Sequence, residues 1–184
     1  FKGLIAREYD RHKVILKSGK ISDSERDLFH SILTQRAEDA FYLDSIKFLS
    51  DIMVKYYNKN VIILIDEYDV PLENAFHQGF YTDMVNLIRS VFESALKTNP
   101  SLDRAFLTGC LRVSKESIFT GLNNLQIFSI MSTKFDDSFG FTQEEINVML
   151  ECYDLTDKSS DIAHWYDGYK FNDVDIYNPW SVLN

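Results

Sequence analysis

The apolar positions of the first sixty residues recur at helical spacing. Leu4, Ile5, Tyr9, Val14 and Ile15 suggest one loosely amphipathic helix. Ser22-x-x-Glu25 is a capping-box pattern, in which the serine oxygen takes an orphan N–H of the first turn. Leu28, Phe29, Ile32 and Leu33 continue it as an apolar stripe. A longer helix is predicted over Ala40–Tyr57, with Phe41, Leu43, Ile46, Leu49, Ile52, Met53 and Tyr56 along its buried side. At Asn58-Lys59-Asn60 the pattern changes. Val61-Ile62-Ile63-Leu64-Ile65 is uncharged and does not alternate, which predicts a central parallel strand buried on both faces. Asp66-Glu67 ends it abruptly.

The next segment reads as a loop through Pro71 and Gly79, then a helix over Thr82–Lys97 that Asn99-Pro100 stops. Ala105–Thr108 reads as a second buried strand and Ile127–Ile130 as a third. A short helix around Lys115–Asn123 falls between them. Thr142-x-x-Glu145 is another capping box, opening a helix through Cys152. Strand, helix, strand, loop, strand is the layout of an α/β sheet with crossover helices. The aromatic tail, with Trp165, Tyr166, Tyr169, Phe171, Tyr177 and Trp180, is expected to pack onto that sheet rather than to stack bases. There is no internal repeat and no low-complexity linker.

The length of 184 residues suits one domain or a domain with a small appendage. Composition excludes disorder, and the longest uncharged apolar run, Val61–Ile65, excludes a membrane-spanning helix. Cys110 and Cys152 make no disulfide scaffold, and no secretory signal opens the chain, so a reducing cytoplasm is the expected compartment. The chain starts at Phe1 and stops at Asn184 in mid-pattern, as a piece of a longer protein would. Net charge is −9 and uneven. Residues 1–60 carry 11 Lys+Arg and 9 Asp+Glu, whereas residues 61–184 carry 8 and 19. That balance argues against direct binding to a nucleic-acid backbone.

The sharpest chemical feature is Asp66-Glu67 after the apolar strand. Ligands gather at the carboxyl ends of strands in open α/β sheets. There, one carboxylate can hold Mg²⁺ through water and the next can polarise an attacking water, which is the Walker B arrangement. Acidic residues that merely end a strand at solvent would look the same. Thr108 ends the next strand and could touch a phosphate or the water, or simply satisfy its own turn with Gly109. Arg112 and Lys115 could stabilise phosphate charge, or pair with one of the many carboxylates. No G-x-x-x-x-G-K-[ST] cradle occurs anywhere. The four histidines are too scattered for a metal motif, and there is no G-x-S-x-G elbow.

VIILIDEYDVPL (Val61–Leu72) resembles the Walker B block of the bacterial and archaeal AAA-ATPase-like proteins, which often carry a C-terminal PD-(D/E)XK nuclease-like domain. The likeness continues through LTGCLRVSKESIFTGLNNL (Leu107–Leu125), FGFTQEEI (Phe139–Ile146), WYDGYKFN (Trp165–Asn172) and IYNPWSVLN (Ile176–Asn184). The resemblance implies a partial P-loop sheet of the additional-strand class over residues 1–138, with a helical lid-like extension over 139–184. It implies Asp66 as the Mg²⁺-associated carboxylate, Glu67 as the water-polarising one, Thr108 as a sensor-like residue and Arg112 as a phosphate or interface arginine. ATP and Mg²⁺ are the cofactors it implies for an intact parent, with this segment alone inactive.

The family's P-loop, R-x-x-x-G-K-[ST], is lacking here, and so is the strand leading into it. That predicts a gap or a rearranged pairing between the Thr108 and Ile127 strands, and exposed strand edges that favour self-association. Two other functions stay open. One is a non-enzymatic interaction module with a relic acidic pair. The other is metal-dependent nuclease chemistry at Asp66-Glu67, which needs a lysine on the adjoining strand.

Overall fold

The computed structural model describes residues 1–110, 117–119, 121–122 and 125–184. They form two compact units, Phe1–Leu125 and Gln126–Asn184. The first opens with helices: α1 (Lys2–Arg11), α2 (Asp23–Leu33), α3 (Asp39–Leu43) and α4 (Ser45–Tyr57). Their apolar faces, with Ile15 and Ile21 from the segment between α1 and α2, meet in one core of Ile5, Tyr9, Ile15, Ile21, Phe29, Ile32, Tyr42, Leu49 and Ile52. Each such side chain contributes about 1.5–3 kcal/mol on burial, set against the entropy of ordering the chain.

The capping box at Ser22 forms in full, with the Ser22 oxygen accepting from the Glu25 N–H and the Glu25 carboxylate accepting from the Ser22 N–H. The expected first helix is shorter than its apolar stripe. It ends at Arg11, and Val14 and Ile15 belong to a 3₁₀ segment, Lys13–Lys17, that turns Ile15 inward and leaves Val14 exposed.

The single helix expected over 40–57 is broken at Asp44, whose φ/ψ of −98°/3° leaves the helical well. The break is stabilised from a distance. The buried Tyr9 hydroxyl donates to the Ser45 carbonyl at 2.7 Å, and the Ser45 hydroxyl donates to the Tyr42 carbonyl at 2.7 Å. Those bonds add a second donor to each carbonyl and tie the junction of α3 and α4 to α1. Burial drives the Tyr9 phenol far above its ordinary titration range, and the neighbouring Tyr42 adds to the shift.

β1 (Val61–Ile65) lies where the apolar run predicts it and pairs in parallel with β2 (Leu102–Leu107). Between them lie α5 (Val70–Gln78), α6 (Tyr81–Phe92) and a π-helical turn, Glu93–Lys97. α5 occupies the segment expected to be a loop. Pro71 sits in its first turn, where a missing N–H costs nothing, and Gly79 closes it at φ 81°. Both residues are helix brackets, although they also punctuate loops. The expected helix over 82–97 begins at Tyr81 and changes to the π-helical turn after Phe92. Asn99 ends that segment, with its side-chain amide donating to the Ala95 carbonyl at 3.1 Å.

The sheet differs from the expectation of a strand buried on both faces. Ile65 and Leu107 pack on the core of Leu72, Val85, Ile88, Val91, Phe92 and Ile118, whereas Ile62, Leu64 and Phe106 are exposed on the opposite face. Among the described residues β1 and β2 pair only with each other, so each keeps one unpaired edge.

No strand forms at Ile127–Ile130. The Ser129 N–H donates to the Ser132 hydroxyl oxygen at 3.0 Å, and the Met131 N–H to the Ser129 hydroxyl oxygen at 3.2 Å. These local side-chain bonds offer the backbone an alternative to a ladder. Of the short helix expected around 115–123, Ser117–Phe119 forms a 3₁₀ turn, and residues 115–116, 120 and 123 lie outside the described residues.

The second unit holds α7 (Gln143–Cys152), α8 (Ser159–Tyr166), an antiparallel hairpin of β3 (Asp167–Phe171) and β4 (Val174–Tyr177), and the short α9 (Pro179–Leu183). The Thr142–Glu145 capping box opens α7 as expected. The hairpin is a feature that the sequence reading did not foresee. A small core of Ile146, Leu150 and Tyr177 joins α7 to β4. The aromatic tail departs from the expectation of packing. Tyr177 is buried, but Trp165 and Trp180 are each 76% exposed. The chain is therefore a mixed helix-and-sheet protein with a parallel strand pair. No helix among the described residues is long and apolar enough to cross a membrane.

Candidate functional site

Parallel register places Ile65 opposite Leu107, so the next residues, Asp66 and Thr108, leave the sheet side by side. The Thr108 N–H donates to the Ile65 carbonyl at 2.9 Å, and the Tyr68 N–H donates to the Thr108 carbonyl at 3.0 Å. The two strand ends are thus zipped beyond the last ladder pair. The Thr108 hydroxyl donates to Asp66 Oδ1, and Thr108 Oγ1 itself accepts from the Glu67 N–H at 3.4 Å. One side chain therefore orients both acidic residues, one through its carboxylate and the other through its backbone.

Glu67 has φ 52°, in the left-handed region that a residue with a Cβ seldom enters. Such conformations cost of order 1–3 kcal/mol and persist where their surroundings over-determine them. Here the surroundings are explicit. Val70 N–H donates back to the Glu67 carbonyl at 3.2 Å, closing a tight turn that leads straight into α5. Asp69 stands at the head of that helix, and its carbonyl accepts from Leu72 and Glu73 N–H at 3.0 Å each.

Two further residues shape the site that sequence reasoning did not single out. Asp69 is only 5% exposed, and the Tyr68 ring meets Phe119 edge-on at 5.2 Å. Both crowd against Gly109, where a Cβ would fall 2.7 Å from Tyr68 Cε1 and 2.8 Å from Asp69 Oδ1. Gly109 is thus required by close approach, since its φ is not positive. The DEYD spacing held a signal for Asp69, because Asp is a favoured residue at helix heads. Nothing local pointed to Gly109.

Asp66 and Glu67 are exposed at the strand end, with an oxygen-only donor set of two carboxylates and a hydroxyl. Oxygen donors suit a hard divalent cation such as Mg²⁺, which usually takes one or two carboxylates and keeps several waters. Among the described residues no three His, Cys, Asp or Glu side chains converge as a complete metal cage. Two exposed carboxylates and a hydroxyl would leave most positions around such an ion to water. β2, the adjoining strand, carries Arg104 and no lysine, so the lysine that nuclease chemistry needs is missing there. Arg112 and Lys115 lie outside the described residues.

Residues 5–119 match the AAA-ATPase-like family, described as predicted AAA-ATPases. The chain belongs to that family. ATP and Mg²⁺ are the ligands which that membership suggests in general. An uncharacterized protein in the vnfD 5′ region of Azotobacter chroococcum mcd 1 is 28% identical over 126 residues, covering 68% of this chain and 24% of that protein. The AAA-ATPase-like chain thus spans about a quarter of that relative's length. No solved structure matches it.

Proposed function

We propose that this chain supplies the Walker B part of an ATPase site, a partial P-loop sheet whose phosphate cradle comes from outside these 184 residues. The observation that carries the reading is the Thr108 hydroxyl bound to both Asp66 and the Glu67 backbone at the paired strand ends. Asp66 would hold Mg²⁺ through water, and the ion, when bound with ATP, would neutralise charge on the phosphate oxygens. Glu67 projects from a fixed left-handed backbone, so its carboxylate is free of the strand ladder and able to orient and polarise a water. Thr108 acts chiefly as a positioning residue, because its hydroxyl is already engaged by the acidic pair. Arg112, four residues past Thr108, is assigned by family likeness to phosphate charge or to a subunit interface. Residues 139–184 act as a lid-like extension. The unpaired edges of β1 and β2 are where further strands, or a second copy, would add.

The test is ATP turnover by a longer protein that contains this chain together with a phosphate-binding loop. Glu67→Gln is expected to bind Mg²⁺-ATP and fail to hydrolyse it, while the isolated chain turns over nothing. Equal turnover by wild type and Glu67→Gln would refute the assignment of Glu67. Glu67-dependent hydrolysis by the isolated chain would refute the need for an outside cradle.

A further inference from the structure

The second unit holds most of the chain's net charge. Residues 126–184 contain three Lys+Arg and eleven Asp+Glu, a net of −8, against −1 for residues 1–125. The three cations are already engaged. Lys158 pairs with Asp157 and Asp161 at 3.6 and 3.7 Å, Lys170 with Asp175 at 3.8 Å, and Lys134 lies over the Phe128 and Phe135 rings at 5.1 and 5.0 Å. The acidic excess is therefore uncompensated within the unit.

The same unit exposes large aromatic groups on adjoining elements. α8 packs against both β3 and α9. α8 turns Ile162 to the small core and α9 turns Val182 to it, which leaves Trp165, Tyr166, Tyr169, Trp180 and Leu183 outward. Both tryptophans of the chain belong to this group, each 76% exposed. Soluble proteins seldom leave such large apolar groups together on a surface without a binding role.

We infer that the aromatic surface of α8, β3 and α9 docks a Lys/Arg-bearing amphipathic segment of a protein partner. Charge decides the class of occupant. A net of −8 repels nucleic acid and anionic lipid surfaces, and it attracts a basic peptide. Chemistry decides the mode of contact. Tryptophan faces are the best aromatic partners for ammonium and guanidinium groups, and indole and phenol rings also take apolar anchors. The inference does not depend on the ATPase reading.

Because both tryptophans lie on this surface, the intrinsic fluorescence of the intact chain reports on it directly. The chain is titrated with a helical peptide of leucine and lysine, with the same peptide carrying glutamate for lysine, and with a lysine–serine peptide of equal charge. A saturable blue shift with the leucine–lysine peptide alone is expected. It should weaken at rising salt, and it should weaken at least tenfold in Trp165→Ala or Trp180→Ala. Circular dichroism checks that these exposed substitutions leave the fold intact. Asp161→Asn, which changes charge and no aromatic group, is expected to lower affinity and flatten the salt dependence.

Several results would overturn the inference. The leucine–lysine peptide gives no saturable shift. The lysine–serine peptide binds equally well, so that charge alone is responsible. Calorimetry finds unchanged affinity in the double tryptophan variant. A blue shift grows with protein concentration in the absence of peptide, which would make a second copy of this chain the occupant.

Discussion

Gly109→Ala isolates the packing that holds the acidic turn in place. The added methyl would stand 2.7 Å from Tyr68 Cε1 and 2.8 Å from Asp69 Oδ1, where ordinary carbon contacts need about 3.5–4.0 Å. Something must retreat by about 1 Å. The Tyr68 ring is backed edge-on by Phe119, which in turn stacks on Phe92 at 6.3 Å, so the ring has no free path. The Asp69 carboxylate is buried at the head of α5. Overpacking of this kind costs about 1–3 kcal/mol.

Tryptophan fluorescence reports only on the second unit, so the change is followed by far-ultraviolet circular dichroism in denaturant. Hydrogen exchange at the Tyr68 and Thr108 amides, which bridge the strand ends, gives a local readout. Tyr68→Ala removes the nearer obstacle, so the double variant should lose less than the sum of the two single losses, by about 0.5 kcal/mol or more. A Gly109→Ala change within about 0.5 kcal/mol of wild type would refute the reasoning, as would strict additivity with Tyr68→Ala.

Three further outcomes follow from the same geometry. Thr108→Val keeps shape and removes the hydroxyl, so exchange at the Glu67 amide should quicken while global stability falls by no more than about 1 kcal/mol, because the site is exposed. Tyr9→Phe takes the donor from the buried Ser45 carbonyl and should cost about 1–2 kcal/mol in denaturant unfolding. Glu25→Gln keeps an acceptor for the Ser22 N–H but loses the charge that pairs with Lys55 of α4, so it should cost no more than about 0.5 kcal/mol at neutral pH. The Lys55 ammonium first, and then the Ser22 N–H, hold the Glu25 carboxyl below its ordinary range. Its contribution is therefore complete above that ordinary range and is lost as pH falls through the lowered folded value, and Glu25→Gln should remove that part of the acid slope.

What could be read from the sequence was set by how local each cause is. β1 was legible because five contiguous apolar residues, four of them β-branched, admit few alternatives. Both capping boxes were legible because their donors and acceptors lie three residues apart. The break at Asp44 was not, because the Tyr9 hydroxyl that braces the junction comes from 36 residues before Ser45. α5 was misread because proline and glycine bracket helices and punctuate loops alike. In the site, Asp66 and Thr108 meet because the parallel register matches the strand ends, which requires the two strands to be neighbours. The crowding of Tyr68 and Asp69 on Gly109 was not legible, since it depends on side-chain packing that no spacing encodes. The tail misled for a related reason. Its six aromatics were expected to pack onto the sheet, yet the small core of the second unit takes in few of them.

The open sheet face gives the site its mechanical character. A two-stranded parallel pair is marginal by itself, and among the described residues its inner face is the one that is covered. Ile62, Leu64 and Phe106 add nothing to its stability while they face water. The positions of Asp66 and Thr108 therefore rest on the inner contacts of Ile65 and Leu107 with the Leu72–Ile118 core, and on the hydrogen bonds that continue past the ladder. Any segment that covers the outer face or pairs with a free edge would stabilise the strands from the other side. Because Asp66 and Thr108 leave the sheet directly from the last ladder pair, that stabilisation would be transmitted to the acidic pair without any change in its own contacts. Covering the outer face would in that way steady the strand ends from which the acidic pair projects.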